Sequence, residues 1–142
     1  MHKLTGGCHC GTIHLDIALA RAPDAYNPRT CDCDYCRKHA ASYISDPHGS
    51  LVIRIKNERE VGRYRQGGEL AEFLLCRNCG VLVGVLYRSD DGLYATVNAN
   101  VTDALENFGT KLSVSPKKLS GSEKTQRWQE LWFPNVIVNV GE

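Results

Sequence analysis

The chain has 142 residues, 42% of them hydrophobic, and a formal net charge of +1. That length suits a single domain over residues 1–142 with its own core, and the interspersed, balanced charge offers no basic footprint for a nucleic-acid partner. No apolar run approaches a transmembrane span, and Met1-His2-Lys3-Leu4-Thr5-Gly6-Gly7-Cys8 has no apolar signal core, so a soluble, cytoplasmic protein with no membrane partner is expected.

The glycines of Gly6-Gly7-Cys8-His9-Cys10-Gly11 permit the tight backbone of a metal knuckle. His9, between two thiols, points away from them by the period-two rule and reads as a spacer. Thr12 to Ala20 is a strand with Ile13, Leu15, Ile17 and Leu19 on one face. Ala22-Pro23-Asp24 is a turn, and Tyr26 to Arg29 leads into Cys31. Asp34 to Ala41 contains neither Gly nor Pro and predicts a short helix. Asp46-Pro47-His48-Gly49 is a loop. Strands follow at Leu51 to Ile55 and Val61 to Tyr64, then a turn at Gln66-Gly67-Gly68 and a strand at Ala71 to Leu75. In Cys76-Arg77-Asn78-Cys79-Gly80 the glycine sits where a zinc knuckle needs positive φ. Val81 to Tyr87 is nearly all apolar, which predicts a central strand buried on both faces. After Ser89-Asp90-Asp91-Gly92, Leu93, Ala95 and Val97 alternate with Tyr94, Thr96 and Asn98 in a further strand. Asp103 to Phe108 is a helical turn or loop, and Thr110 to Ser122 is a surface loop. Lys124 to Trp132 carries Trp128, Leu131 and Trp132 at helical spacing, which assigns both tryptophans to core packing. Val136 to Val140 is a closing strand.

Seven cysteines dominate the chemistry. In a reducing compartment, clustered thiols read as metal ligands before disulfides, and an odd count leaves one thiol over if the others pair. The centre of the pattern is Cys31-Asp32-Cys33-Asp34-Tyr35-Cys36. Its first two thiols share one side of an extended backbone, and the overlapping CxxC turns the third back toward them. Three thiolates aimed at one point suit a zinc ion with a vacant fourth position, the arrangement of a catalytic zinc.

Two partitions of the seven thiols follow from spacing. In one, Cys8, Cys10, Cys76 and Cys79 close a structural site, and Cys31, Cys33 and Cys36 hold an open one. In the other, the CxxC pairs Cys33, Cys36, Cys76 and Cys79 form a zinc ribbon and leave Cys8, Cys10 and Cys31 over. The first uses every thiol and keeps the central CxC intact, so it is the better chemistry.

Gly-Gly-Cys-His-Cys-Gly, then Cys-x-Cys-x-x-Cys-Arg, then Cys-x-x-Cys-Gly resembles the ordered signature of the glutathione-dependent formaldehyde-activating enzyme (GFA) family, most closely over residues 6–100. The resemblance implies a mainly β, tent-like fold of packed antiparallel sheets, with zinc knuckles and one or two short helices. It implies the first partition of the thiols, with the Cys31 trio catalytic. It also implies a carbon–sulfur lyase that adds glutathione to formaldehyde and yields S-(hydroxymethyl)glutathione. Asp32 stands where the family often has His, and Ala40-Ala41-Ser42 where it often has Ser-Gly. These residues should line the mouth of the site and so bear on substrate choice.

A zinc-bound thiol is deprotonated and becomes a nucleophile at neutral pH. Glutathione brings two carboxylates, and Arg37, next to Cys36, is the candidate to pair with one. Lys38, His39 and Arg77 are weaker candidates, and Tyr43 reads as a half-buried strand residue before a phenol donor near the metal. The partners expected are thus a small thiol and a small aldehyde. The alternative is a non-catalytic, zinc-stabilised module that binds glutathione or a protein. Nothing in the sequence marks an oligomeric state.

Overall fold

Alternating burial along one strand organises the first sheet. In β2 (Ile13–Leu19), Ile13, Leu15, Ile17 and Leu19 are all at most 2% exposed, while the residues between them face outward or stay half-buried. Each such side chain contributes roughly 1.5–3 kcal/mol on leaving water. The computed structural model describes residues 1–141. β1 (His2–Gly7) lies antiparallel on one side of β2 and β5 (Ser50–Ile55) on the other, with Leu15 opposite Ile53. β11 (Ile137–Val140) completes the order β1-β2-β5-β11, running parallel to β5.

The second sheet has seven strands. In chain order they are β3 (Arg29–Cys31), β4 (Ser42–Ile44), β6 (Val61–Tyr64), β7 (Glu72–Cys76), β8 (Leu82–Ser89), β9 (Gly92–Asn98) and β10 (Leu112–Val114). Their spatial order is β10-β3-β4-β9-β8-β7-β6, antiparallel except for the β10–β3 pair at one edge. β8 sits between β7 and β9, and Leu82 through Leu86 are all buried, as expected of an apolar run covered on both faces.

One face of this sheet meets the first. Leu74, Val83, Ala95 and Val97 share a core with Leu15, Ile53 and Phe133. Phe133 exchanges backbone hydrogen bonds with Ala95 at 2.9 and 3.1 Å, which pins the chain leaving the second helix against β9. The opposite face carries a separate cluster of Cys31, Cys36, Tyr43, Phe73, Val85 and Trp132. Both α-helices serve this second face. α1 (Asp34–Lys38) follows β3 directly, and α2 (Gly121–Leu131) starts at a capping box in which the Ser120 side chain accepts from Glu123 N–H and Glu123 accepts from Ser120 N–H.

The mainly β architecture with few short helices is the one expected. Several elements differ from the sequence reading: β3 and β4, three residues each, carry no periodic signal of their own, and α2 begins at Gly121, three residues before Lys124. β1 has no counterpart in the sequence reading, which assigns only Gly6 to Gly11 as a knuckle, because Leu4 is its one buried residue and no alternation shows. The 110–122 stretch contains β10, a three-residue edge strand too short and exposed for a periodic signal. α1 stops at Lys38, with His39 as its cap, because Ala40 adopts a positive φ of 52° and turns the chain into β4.

Candidate metal centres

The β1–β2 connection brings Cys8 and Cys10 to the end of β7, where Cys76 and Cys79 sit on a tight turn. The four sulfurs all lie within 4.8 Å of one another. Cys10 Sγ is 3.5 Å from Cys76 Sγ across 66 residues of sequence. The turn after β7 needs Gly80 at φ +83°, and its N–H donates to Cys76 O at 2.8 Å. Ile13 N–H donates to Cys8 Sγ at 3.2 Å and Cys79 N–H to Cys76 Sγ at 3.4 Å. His9 is exposed and stands outside the group.

The second group is Cys31, Cys33 and Cys36, also mutually within 4.8 Å. Cys31 ends β3, Cys33 is the N-cap of α1, and Cys36 lies within that helix. Cys36 N–H donates to Cys33 Sγ at 3.4 Å, so the cap that starts the helix also brings two sulfurs together. Cys31 and Cys36 are buried, and Cys33 is partly exposed. The Tyr43 hydroxyl lies 3.1 Å from Cys36 Sγ. The structure therefore groups Cys76 and Cys79 with the N-terminal pair, not with Cys33 and Cys36 as a zinc ribbon requires.

The protonation pattern suits cation binding at both groups. The Thr12 hydroxyl, then Asn78, draws Cys10 down to about 5, while burial pushes Cys76 up to about 11. In the trio, the hydrogen bond with Cys36 draws Cys31 down to about 6. The same bond, then burial, pushes Cys36 up, and burial pushes Cys33 up. Each group thus sets a thiol drawn down, Cys10 or Cys31, beside a neighbour pushed up, Cys76 or Cys36, the situation a divalent cation relieves. All-sulfur donor sets at these separations fit zinc.

A cavity of about 230 Å³ opens on the trio and not on the four-thiol group. Its wall includes Phe73, Val85, Trp128 and Trp132, with Tyr43 and Arg29 on the sheet. Trp128 and Trp132 stack with ring centroids 4.9 Å apart. The tryptophans expected as core packing therefore also form a wall of the cavity. Tyr43 is a buried strand residue whose hydroxyl reaches a thiol of the trio, combining both roles considered for it.

Arg37 is not brought to the cavity. Its side chain is 67% exposed and pairs with Asp34 at 3.4 Å on the outer face of α1. Successive side chains on a helix are rotated by about 100°, so the residue next to Cys36 does not share the side that Cys36 faces. Lys38, His39 and Arg77 also lie outside the cavity wall. The cations that line it are Arg29, Lys117, Lys124 and Arg127. Arg29 had a sequence signal, since it is two residues before Cys31 and shares its face of β3. Lys124 and Arg127 depended on the path of α2. Asp32 accepts a hydrogen bond from the Ser115 hydroxyl and lies 3.9 Å from Lys117, which ties the loop between the first two thiols of the trio to the chain after β10.

Two cysteine groups that can hold metal ions, set on a mainly β frame of two sheets, mark a small β protein with two candidate metal sites. The model of the glutathione-dependent formaldehyde-activating enzyme family matches residues 3–117. The chain belongs to that family. A crystal structure of a Rhodobacter sphaeroides protein shares the fold with a TM-score of 0.52 at 23% identity, over 70% of this chain and 87% of that one. Among the described residues, no helix is long and apolar enough to cross a membrane.

Proposed function

We propose that the protein is a zinc-dependent carbon–sulfur lyase that catalyses the reversible addition of a small thiol to a small aldehyde. Glutathione and formaldehyde, the pair in the family's description, would give S-(hydroxymethyl)glutathione. The observation that supports this reading is the convergence of three thiols, without a fourth among the described residues, on the wall of the cavity. Cys8, Cys10, Cys76 and Cys79 would hold a structural zinc, and Cys31, Cys33 and Cys36 a catalytic one. Bound at the trio, zinc supplies a Lewis acid that keeps an incoming thiol ionised.

The chain's own residues do the rest. With Cys36 ionised as a metal ligand, the Tyr43 hydroxyl 3.1 Å away would donate to its Sγ and fix its direction. Trp128 and Trp132 cover one side of the cavity and exclude water from the reactants. In the addition, the thiolate sulfur forms a bond to the carbonyl carbon, the carbonyl π pair moves to oxygen, and that oxygen takes up a proton. The addition also proceeds without a catalyst, so capture and orientation suffice for acceleration. Arg37, exposed and paired with Asp34, has no part in this reading. The reducing cytoplasm is the compartment that keeps such thiols available.

Two measurements test the proposal. Zinc content should be about two ions per chain, one per thiol group. The rate of S-(hydroxymethyl)glutathione formation should rise in proportion to protein and return to the uncatalysed rate in Cys33→Ser. Tight glutathione binding without acceleration would overturn the lyase reading in favour of a binding module.

A further inference from the structure

The cavity contains a charge that the thiol chemistry leaves unexplained. Arg29 and Cys31 sit two residues apart on β3, so they share one face and their Cα atoms are about 6.6 Å apart. Both line the cavity. Arg29 Nη2 donates to Ser45 Oγ at 2.8 Å and to Thr96 Oγ1 at 3.3 Å. Those hydroxyls spend their own hydrogens on backbone carbonyls, Ser45 on Leu131 O at 2.7 Å and Thr96 on Ile44 O at 3.0 Å. They therefore act on Arg29 purely as acceptors, and they hold the guanidinium in place without neutralising it.

Among the described residues, no carboxylate pairs with Arg29. Its Nε and Nη1 donors have no hydrogen-bond acceptor there either. Arg127 and Lys124, three residues apart on α2, line the same cavity and are likewise without an ion pair among the described residues. One carboxylate on the cavity wall, Glu69, belongs to the exposed 66–70 turn and pairs with none of these cations. Cations gathered around a partly enclosed space repel one another and lose hydration, and an arriving anion offsets both costs.

We propose that this cavity is a carboxylate subsite. Arg29 receives the carboxylate on β3, Arg127 and Lys124 close on it from α2, and the apolar wall of Trp128, Trp132 and Val85 covers the carbon skeleton. The substrate class is then a short molecule that carries a carboxylate a few bonds from its sulfur or carbonyl carbon. A cavity of about 230 Å³ falls below the roughly 300–1,000 Å³ of drug-sized sites, which suits a ligand of this size. The delivery of the reacting atom to the trio rests on the lyase reading; the anion subsite itself does not.

The test uses the zinc-loaded full chain and its intrinsic fluorescence, since Trp128 and Trp132 are its two tryptophans and both line the cavity. Two ligand pairs separate the sources of the carboxylate: 3-mercaptopropionate against 2-mercaptoethanol, and glyoxylate against glycolaldehyde. In at least one pair the carboxylate member should bind about tenfold tighter or more, as a charge-assisted contact implies. That preference should collapse in Arg29→Met and return in part in Arg29→Lys. Arg127→Gln, half-buried on the cavity side of α2, should weaken only the carboxylate members, and it carries the test if Arg29→Met fails to fold. Equal affinity within both pairs, or a preference that survives Arg29→Met, overturns the subsite. Accelerated adduct formation without any carboxylate preference overturns the subsite alone. Carboxylate preference without acceleration supports the subsite and overturns the lyase reading.

Discussion

Removing one sulfur from each thiol group should have unequal consequences. Cys10 and Cys76 are 66 residues apart, so a metal at the four-thiol group closes a long loop of the unfolded chain. Cys31 and Cys36 are only five apart, and a metal there closes a loop that β3 and α1 already hold. With a closure cost of (3/2)RT ln n, the ratio of the two lengths is worth about 2 kcal/mol in favour of the four-thiol site. Cys76 is also fully buried, so a serine there leaves a hydroxyl in the core, for roughly 1–3 kcal/mol more. Cys33→Ser should therefore lose one zinc and melt within a few degrees of wild type. Cys76→Ser should lose the other zinc and melt at least about 5 °C lower than Cys33→Ser, at roughly 2–4 °C per kcal/mol. Metal quantification and a thermal melt of the three proteins decide the matter. Equal destabilisation by the two substitutions would refute the division into a stapling site and an open one.

Other residues make further outcomes testable. Tyr43→Phe removes the hydroxyl 3.1 Å from Cys36 Sγ; zinc affinity at the trio should fall roughly 10–100-fold in a competition titration, with the four-thiol site unchanged. Asp46 accepts from Tyr26 O–H at 2.6 Å and from the backbone N–H groups of Ala20 and His48, both at 2.8 Å. Burial alone would raise its pKa, but these donors together outweigh burial and hold it below the usual carboxylate range. The stability it contributes is full above the unfolded-state pKa of about 3.9 and is lost as pH falls through the lower folded value. Asp46→Asn should cost about 2 kcal/mol at pH 7 in a urea titration, and the gap from wild type should narrow once pH falls below about 3.9. In Gly84→Ala the new Cβ would lie 2.6 Å from Thr96 O, so β8 and β9 must separate, at roughly 1–3 kcal/mol in a urea titration.

What the sequence determined by itself is whatever depends on short-range pattern. Ile13, Leu15, Ile17 and Leu19 announce a strand because side chains alternate with period two, and the structure buries all four. Val81 to Tyr87 announces a central strand because no polar face interrupts it, and residues 82–86 of β8 are covered on both sides. The sulfur spacings limit the ways in which seven thiols can share metals, because a CxxC turn brings its own two sulfurs together wherever it lies.

The tertiary structure decided which turns meet. Cys8 and Cys76 are joined only once β1, β2 and β7 reach the same end of the molecule, and no local spacing encodes that meeting. It also decided which cations face the trio. Arg37 is adjacent to Cys36, yet the pitch of α1 turns it outward to Asp34, whereas α2 returns from about 90 residues further along the chain to bring Arg127 and two tryptophans over the cavity. Adjacency along the chain fixes which way a side chain points within its own element. What that side chain faces is set by contacts between elements far apart in sequence.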